Sequence, residues 1–111
     1  MDDRLPAHLE ISALIRAVQA EGGFATVLAK GERDAGSILL ITTAHGEPTR
    51  LYERMPQMDG SRRFEMTREQ DPTDSLAFDQ YIARRRQQDS DIWVLELDIA
   101  GAERFAAVQH E

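Results

Sequence analysis

A group of charged residues between two glycines is the part of this sequence best suited to chemistry. Lys30, Glu32, Arg33 and Asp34 lie close together along the chain. Lysine and arginine together can bind an anion, and a neighbouring carboxylate can act as a base or a metal ligand. The flanking glycines permit a backbone whose amides point outward, as in anion-binding nests. These four residues are therefore the candidate binding residues, and a solvated turn is the competing interpretation.

Other residue types that support catalysis are missing or isolated. The chain has no cysteine, which excludes disulfides, thiolate metal sites and cysteine nucleophiles. The histidines at 8, 45 and 110 lack metal-ligand spacing, and no serine lies in a nucleophile-elbow context. No glycine-rich phosphate loop opens a helix. The sequence therefore predicts no catalytic residue, no metal and no cofactor.

Charge and length restrict the class of protein. The net charge of −7 argues against nucleic-acid binding, which needs clustered positive charge. Three consecutive arginines, Arg84, Arg85 and Arg86, diverge by about 100° per residue on a helix and do not form one patch. A chain of 111 residues is one domain, with 1–7 as a loose lead-in and 101–111 as a weakly ordered tail. No secretory or membrane-spanning segment is visible, so we expect an acidic cytoplasmic protein without membrane contact.

Residues 24–55 form the centre of the predicted fold. Three segments rich in Val, Ile, Leu, Thr and Tyr alternate with clusters of turn residues, which predicts three strands joined by tight turns. The middle segment, 37–41, is apolar at the positions that point to either face of a strand, as in an interior strand covered on both faces. Residues 62–67 are a weaker candidate for an edge strand.

Helical spacing precedes and follows these strands. From about His8 to Gly22, apolar residues recur every three or four positions, with Glu10 turned outward. A second helix begins at Asp71 as its cap and runs to about Gln88. It should bury Leu76, Phe78, Tyr81 and Ile82. Residues 91–98 alternate as a clear strand containing Trp93.

These elements predict a single α+β domain in the order α-β-β-β-(β)-α-β. The sheet should have four to five strands and be mostly antiparallel, and it is mixed if the last strand enters by a crossover. Both helices are available to cover one face. The predicted core is one buried cluster, made of Ile15, Ile38, Leu40, Phe78, Trp93 and Leu95.

The order of elements resembles the αβββαβ core of restriction-endonuclease-like nucleases. Those enzymes place an Asp near the second strand and a Glu-x-Lys on the next to hold a divalent metal. Asp34 fits the first role, but the third strand reads Glu53-Arg54-Met55 and lacks the lysine. The resemblance is one of topology, and a shared fold does not imply a shared function.

Three segments look like a small alphaproteobacterial family, domain of unknown function fourteen ninety-one. They are 22–28, 30–36 and the closing segment made of 81–85 with 89–94, at similar spacing over roughly Arg4 to Asp98. The resemblance implies a small bacterial cytoplasmic protein and supplies no catalytic residues.

Two function hypotheses remain. The first is a non-enzymatic binding or adaptor module that meets a protein partner, or a second copy of itself, through a sheet edge or the charged turn. The second is a small enzyme acting on an anionic substrate at 30–36, including a degenerate nuclease. A pocket with convergent polar groups favours the enzyme, and an open strand edge favours the adaptor.

Overall fold

A computed structural model describes residues 5–107 of the 111-residue chain. Five strands form one mixed sheet, which confirms the α+β class and the predicted order of elements. The helices are α1 (Ala7–Ala20), α2 (Ser75–Gln88) and the short α3 (Glu103–Ala106). The strands are β1 (Phe24–Ala29), β2 (Ile38–Ala44), β3 (Glu47–Pro56), β4 (Arg62–Glu69) and β5 (Trp93–Asp98).

The strand order in the sheet is β1-β5-β2-β3-β4. Strands β2, β3 and β4 pair as consecutive antiparallel hairpins, and Gly46 provides the positive φ of +79° in the first of them. Strand β5 is parallel to β2 and antiparallel to β1, so it separates β1 from β2. The predicted tight turn between the first two strands is therefore wrong. A parallel neighbour requires a long crossover, and α2 supplies it by returning the chain to the open edge of β2.

The helices cover opposite faces of the sheet. Helices α1 and α3 pack on one face, which includes Ile38, Leu40, Trp93 and Leu95. Helix α2 packs on the other face, where Phe78 meets a second cluster formed by Leu39, Ile41, Leu51, Ile92 and Val94. The prediction of one core cluster is wrong, and the two helices do not share one face. The prediction that segment 37–41 is covered on both faces is confirmed, because the central strands are apolar on both faces and each face needs its own cover.

Individual side chains also depart from the predicted core. Trp93 is buried as predicted, whereas Ile15 is only partly buried. Leu76 is 63% exposed and does not belong to the buried face of α2. The cap of α2 is Asp74, which accepts a hydrogen bond from the Ala77 amide. Asp71 instead holds the preceding turn by accepting bonds from Thr73.

Both ends of the described chain pack against the rest of the fold. Helix α1 begins at Ala7, which is buried. Within the predicted tail, for which a short element around Phe105 was also expected, helix α3 forms, and Ala102, Phe105 and Ala106 are buried beside α1. Burial of these apolar side chains fixes α3 even though it has only one turn. The rest of the predicted lead-in and tail, 1–4 and 108–111, lies outside the described residues. Between residues 5 and 107, no helix has the length and apolarity needed to cross a membrane.

Candidate functional site

The charged connection between β1 and β2 caps the first turn of α1. The amides of Ala7 and His8 donate hydrogen bonds to the carbonyl oxygens of Asp34 and Arg33, both at 2.9 Å. Helix α1 has Pro6 at its N-cap and no side-chain acceptor there. Because the first amides of a helix have no partner within the helix, these carbonyls satisfy donors that would otherwise be unpaired. The backbone of Arg33 and Asp34 therefore has a structural role.

The Glu32 carboxylate occupies the amides that were expected to face an anion. Its Oε2 atom accepts hydrogen bonds from the amides of Asp34, at 2.9 Å, and Ala35. The backbone of Glu32 is held as well: its amide donates to the Asp91 carbonyl, and its carbonyl accepts from Trp93 Nε1 at 2.7 Å. These two amides are therefore occupied by the chain's own carboxylate.

The two glycines of this connection are needed for close approach to the start of β5. A Cβ atom added to Gly31 would lie 2.0 Å from the Asp91 carbonyl oxygen, and one added to Gly36 would lie 2.3 Å from the same atom. Neither glycine is among the residues with positive φ. Their small size, rather than their conformational freedom, lets the connection pass over the sheet.

The side chains of the four predicted residues do not converge. Lys30, Arg33 and Asp34 are exposed, and Asp34 lies 3.8 Å from both Arg33 Nε and His8 Nδ1. Within residues 5–107, no group of three or more His, Asp or Glu side chains is placed to hold a metal ion. The geometry therefore lends no support to the nuclease-like arrangement around Asp34. A binding role for Lys30 and its neighbours stays a prediction.

A pocket of about 220 Å³ adjoins this connection. Of the four candidate binding residues, Asp34 lines the pocket and the other three do not. Its wall includes an ion pair between α1 and β3. Glu10, only 3% exposed, accepts two hydrogen bonds from Arg54, one of them 2.9 Å long. The Arg54 guanidinium also lies 4.4 Å from the ring centroid of Phe64. The prediction that Glu10 faces solvent is wrong, because helical spacing cannot reveal a cationic partner on a distant strand.

A second buried carboxylate lies on the opposite face of the sheet. Glu53 accepts hydrogen bonds from Thr67 at 2.5 Å, Tyr81 at 2.7 Å and Arg85 at 3.0 Å. Burial raises the pKa of Glu53, but the three hydrogen bonds outweigh it, so the pKa lies below its ordinary value of 4.5. Burial and the bond to Glu53 raise the pKa of Tyr81. This network fastens α2 to the sheet and keeps Glu53 ionised.

The outer edge of β1 is open in the described part of the chain, since β1 pairs only with β5. Every second residue of the strand is exposed, and Phe24 and Leu28 are 72% and 52% exposed. The six residues Phe24–Ala29 carry no charge. The opposite edge strand, Arg62–Glu69, carries five charged residues among eight. Charged side chains are one protection of an edge against pairing with another chain, and β4 has them whereas β1 does not. The pairing of β1 with β5 also has a register shift between Val27 and Ala29.

Beside this edge lies the carboxylate of Glu96, which has no partner among residues 5–107. Thr26 is exposed between Phe24 and Leu28, and it pairs in register with Glu96 of β5. Cross-strand partners point to the same face of a sheet, so Glu96 lies directly behind the small Thr26 side chain. Glu96 is half-buried and makes no side-chain hydrogen bond or ion pair within residues 5–107. Its neighbour Asp98, behind Phe24, is exposed.

Sequence reasoning missed both the open edge and the two buried ion pairs. The segment 24–29 was expected to pair with the next strand of the chain, 37–41, and not with β5. Only the insertion of β5 makes Glu96 a neighbour of Thr26. The uncharged composition of this strand gave no clue to its position, because edge strands normally carry charge.

Comparison with known proteins agrees with this fold. The family model described as "Protein of unknown function (DUF1491)" matches residues 5–107. The crystal structure of a DUF1491 family protein from Caulobacter crescentus CB15 is 31% identical, with a TM-score of 0.79 over 92% of this chain and 94% of that chain. The solution structure of protein Atu0922 from A. tumefaciens is 32% identical, with a TM-score of 0.76 over 97% of each chain. None of the curated proteins matches. The chain therefore belongs to the alphaproteobacterial DUF1491 family.

Proposed function

We propose that this protein is a non-enzymatic binding module that takes up an extended segment of another protein along the outer edge of β1. In this mode the bound segment adds one strand to the sheet, main-chain hydrogen bonds supply affinity, and side chains at alternate positions supply specificity. The observation that carries the proposal is the contrast between the two edges: β1 is uncharged with exposed Phe24 and Leu28, whereas β4 is heavily charged.

A second copy of this chain is a less favourable partner for the outer edge of β1 than another protein is. Pairing β1 with β1 of another copy would bring together two chains that each carry a net charge of −7. It would also bring the Glu96 and Asp98 carboxylates of both copies to the same region. Like charges brought together oppose association, so a segment of different composition suits this edge better. The acidic surface also favours a protein over a nucleic acid as the partner. We assign the module to the bacterial cytoplasm, in keeping with its lack of cysteines.

The test uses a phage-displayed library of random dodecapeptides, selected on the immobilised full-length protein. Synthetic versions of enriched peptides are then titrated into the isotopically labelled protein, and backbone amide shifts are followed by NMR. We expect the largest shifts in residues 24–29 and 93–98. Absence of enriched peptides, or shifts centred on another surface, would contradict the proposal.

Two matched variants sharpen this test. Leu28→Gln removes an exposed apolar side chain from β1 and should weaken peptide binding. Met66→Gln makes the same kind of change on the protected edge β4, where Met66 is 51% exposed, and should leave binding unchanged. Because both side chains are about half exposed, neither substitution should unfold the protein. Sedimentation of the free protein would show a concentration-dependent dimer if a second copy were the true occupant.

A further inference from the structure

Thr26 is a small, exposed residue in the middle of β1, beside the edge where the bound segment would lie. Phe24 and Leu28 are large and exposed, and the small Thr26 lies between them on the strand. Behind Thr26 lies Glu96, its registered partner on β5. We propose that the segment bound at β1 places a Lys or Arg opposite Thr26, and that this cation pairs with Glu96. The inference rests on the proposed function and names the chemistry of its partner.

The spacing of the strands supports this arrangement. Neighbouring strands lie about 4.8 Å apart, so an added strand would lie roughly 10 Å from β5. A short side chain cannot cover that distance, whereas the long stems of lysine and arginine can lie across Thr26. Such stems bury their methylene groups on apolar surface while the charged end remains beside a polar group. Phe24 and Leu28 are the exposed large apolar residues of the same strand, with a register shift between Val27 and Ala29.

The surroundings of Glu96 support a positive charge in the bound segment. The two buried carboxylates are each paired with an arginine: Glu10 with Arg54, and Glu53 with Arg85. Glu96 is half-buried, yet it has no such partner in residues 5–107. A partly desolvated carboxylate gains more from a cation than a fully solvated one does, because screening by water is weaker there. We therefore expect the bound segment to carry one basic residue, with apolar residues at the flanking positions.

The experiment compares Glu96→Gln with the exposed control Glu103→Gln in the full-length protein. Calorimetry would measure binding of a β1-directed peptide from the library selection, and of the same peptide with its basic residue replaced by norleucine. We expect Glu96→Gln to weaken the basic peptide about tenfold in low salt, equivalent to about 1.4 kcal/mol. The effect should shrink in high salt, and the norleucine peptide should not respond to the substitution.

A charge reversal provides a second, independent readout. Selection of the same library on Glu96→Arg should replace the enriched basic residue by Asp or Glu. If β1-directed peptides carry no basic residue, or bind Glu96→Gln as tightly as the native protein, the inference is overturned while strand addition at β1 stands. If no peptide maps to β1, the proposed function is overturned and this inference falls with it.

Discussion

Glu53 and Arg54 are consecutive on β3, yet each belongs to a different ion pair on a different face of the sheet. Glu53 binds Arg85 of α2, and Arg54 binds Glu10 of α1. Successive side chains of a strand point to opposite faces, so one dipeptide fastens both helices to the sheet. Each acidic member is almost completely buried, at 6% and 3% exposure. The position of both helices therefore depends on β3.

Removing Arg54 should be costly. Arg54→Met leaves the Glu10 carboxylate buried without its countercharge, and we expect a loss of about 3–5 kcal/mol in the free energy of unfolding. The double variant Glu10→Leu with Arg54→Met replaces both charges by apolar groups and should recover most of that loss. Urea denaturation of the two proteins measures both quantities. A loss below about 1 kcal/mol for Arg54→Met would show that the pair is solvated.

Trp93 should contribute both packing and one hydrogen bond. Trp93→Ala should lower the free energy of unfolding by about 3–5 kcal/mol, the range for truncating a large buried aromatic side chain. Trp93→Phe keeps most of the packing but loses the bond from Nε1 to the Glu32 carbonyl, at a cost of about 1–3 kcal/mol. Thermal and urea unfolding would rank the variants. Equal stability of Trp93→Phe and the native protein would show that this hydrogen bond does not stabilise the fold.

The low pKa of Glu53 predicts a specific pH dependence. The folded pKa lies below the ordinary value of 4.5, so the stabilisation is complete above that value and is lost as the pH falls through the folded pKa. Glu53→Gln should therefore have a lower free energy of unfolding than the native protein at neutral pH. The difference between the two proteins should become smaller below pH 4.5. Glu103→Gln, at an exposed position, should show no such change. A difference in the free energy of unfolding that stays constant across the acid range would contradict the lowered pKa of Glu53.

The Glu32 carboxylate should compete with any anion at residues 30–36. Glu32→Ala frees the amides of Asp34 and Ala35 and removes one negative charge next to Lys30 and Arg33. Phosphate should therefore bind this variant more strongly, by about 1–2 kcal/mol, and adding Lys30→Ala should reverse the gain. Amide shift mapping with phosphate and citrate measures this. Shifts centred elsewhere would end the prediction of an anion site at this connection.

The protein should not bind duplex DNA or RNA at physiological salt. Its net charge is −7, and the arginines at 84–86 point in different directions around α2, with Arg85 already paired to Glu53. Few phosphates could be neutralised together, which removes the main source of non-specific affinity. An electrophoretic shift at micromolar protein in about 150 mM salt would overturn this prediction and revive the nuclease hypothesis.

Much of the fold follows from local pattern in the sequence. Helical spacing in 8–20, alternation in 91–98 and turn residues around Gly46 identify their elements because periodicity and turn chemistry are properties of neighbouring residues. The apolar segment 37–41 likewise indicates a strand covered on both faces, and all of Ile38, Leu39, Leu40 and Ile41 are buried. These features establish an α+β domain without reference to distant contacts.

The position of β5 was decided only by tertiary structure. Strand pairing depends on which long-range contacts bury the most apolar surface, and no local pattern in 24–29 reveals that β5 will lie beside it. That one insertion places α1 and α2 on opposite faces, carries residues 30–36 across the start of β5, and leaves β1 at an open edge beside Glu96. Local pattern identifies the elements and their turn residues, because it depends on neighbouring residues alone. Which charges are buried and paired, and which strand lies at the edge, depends on contacts between residues that are far apart in the chain.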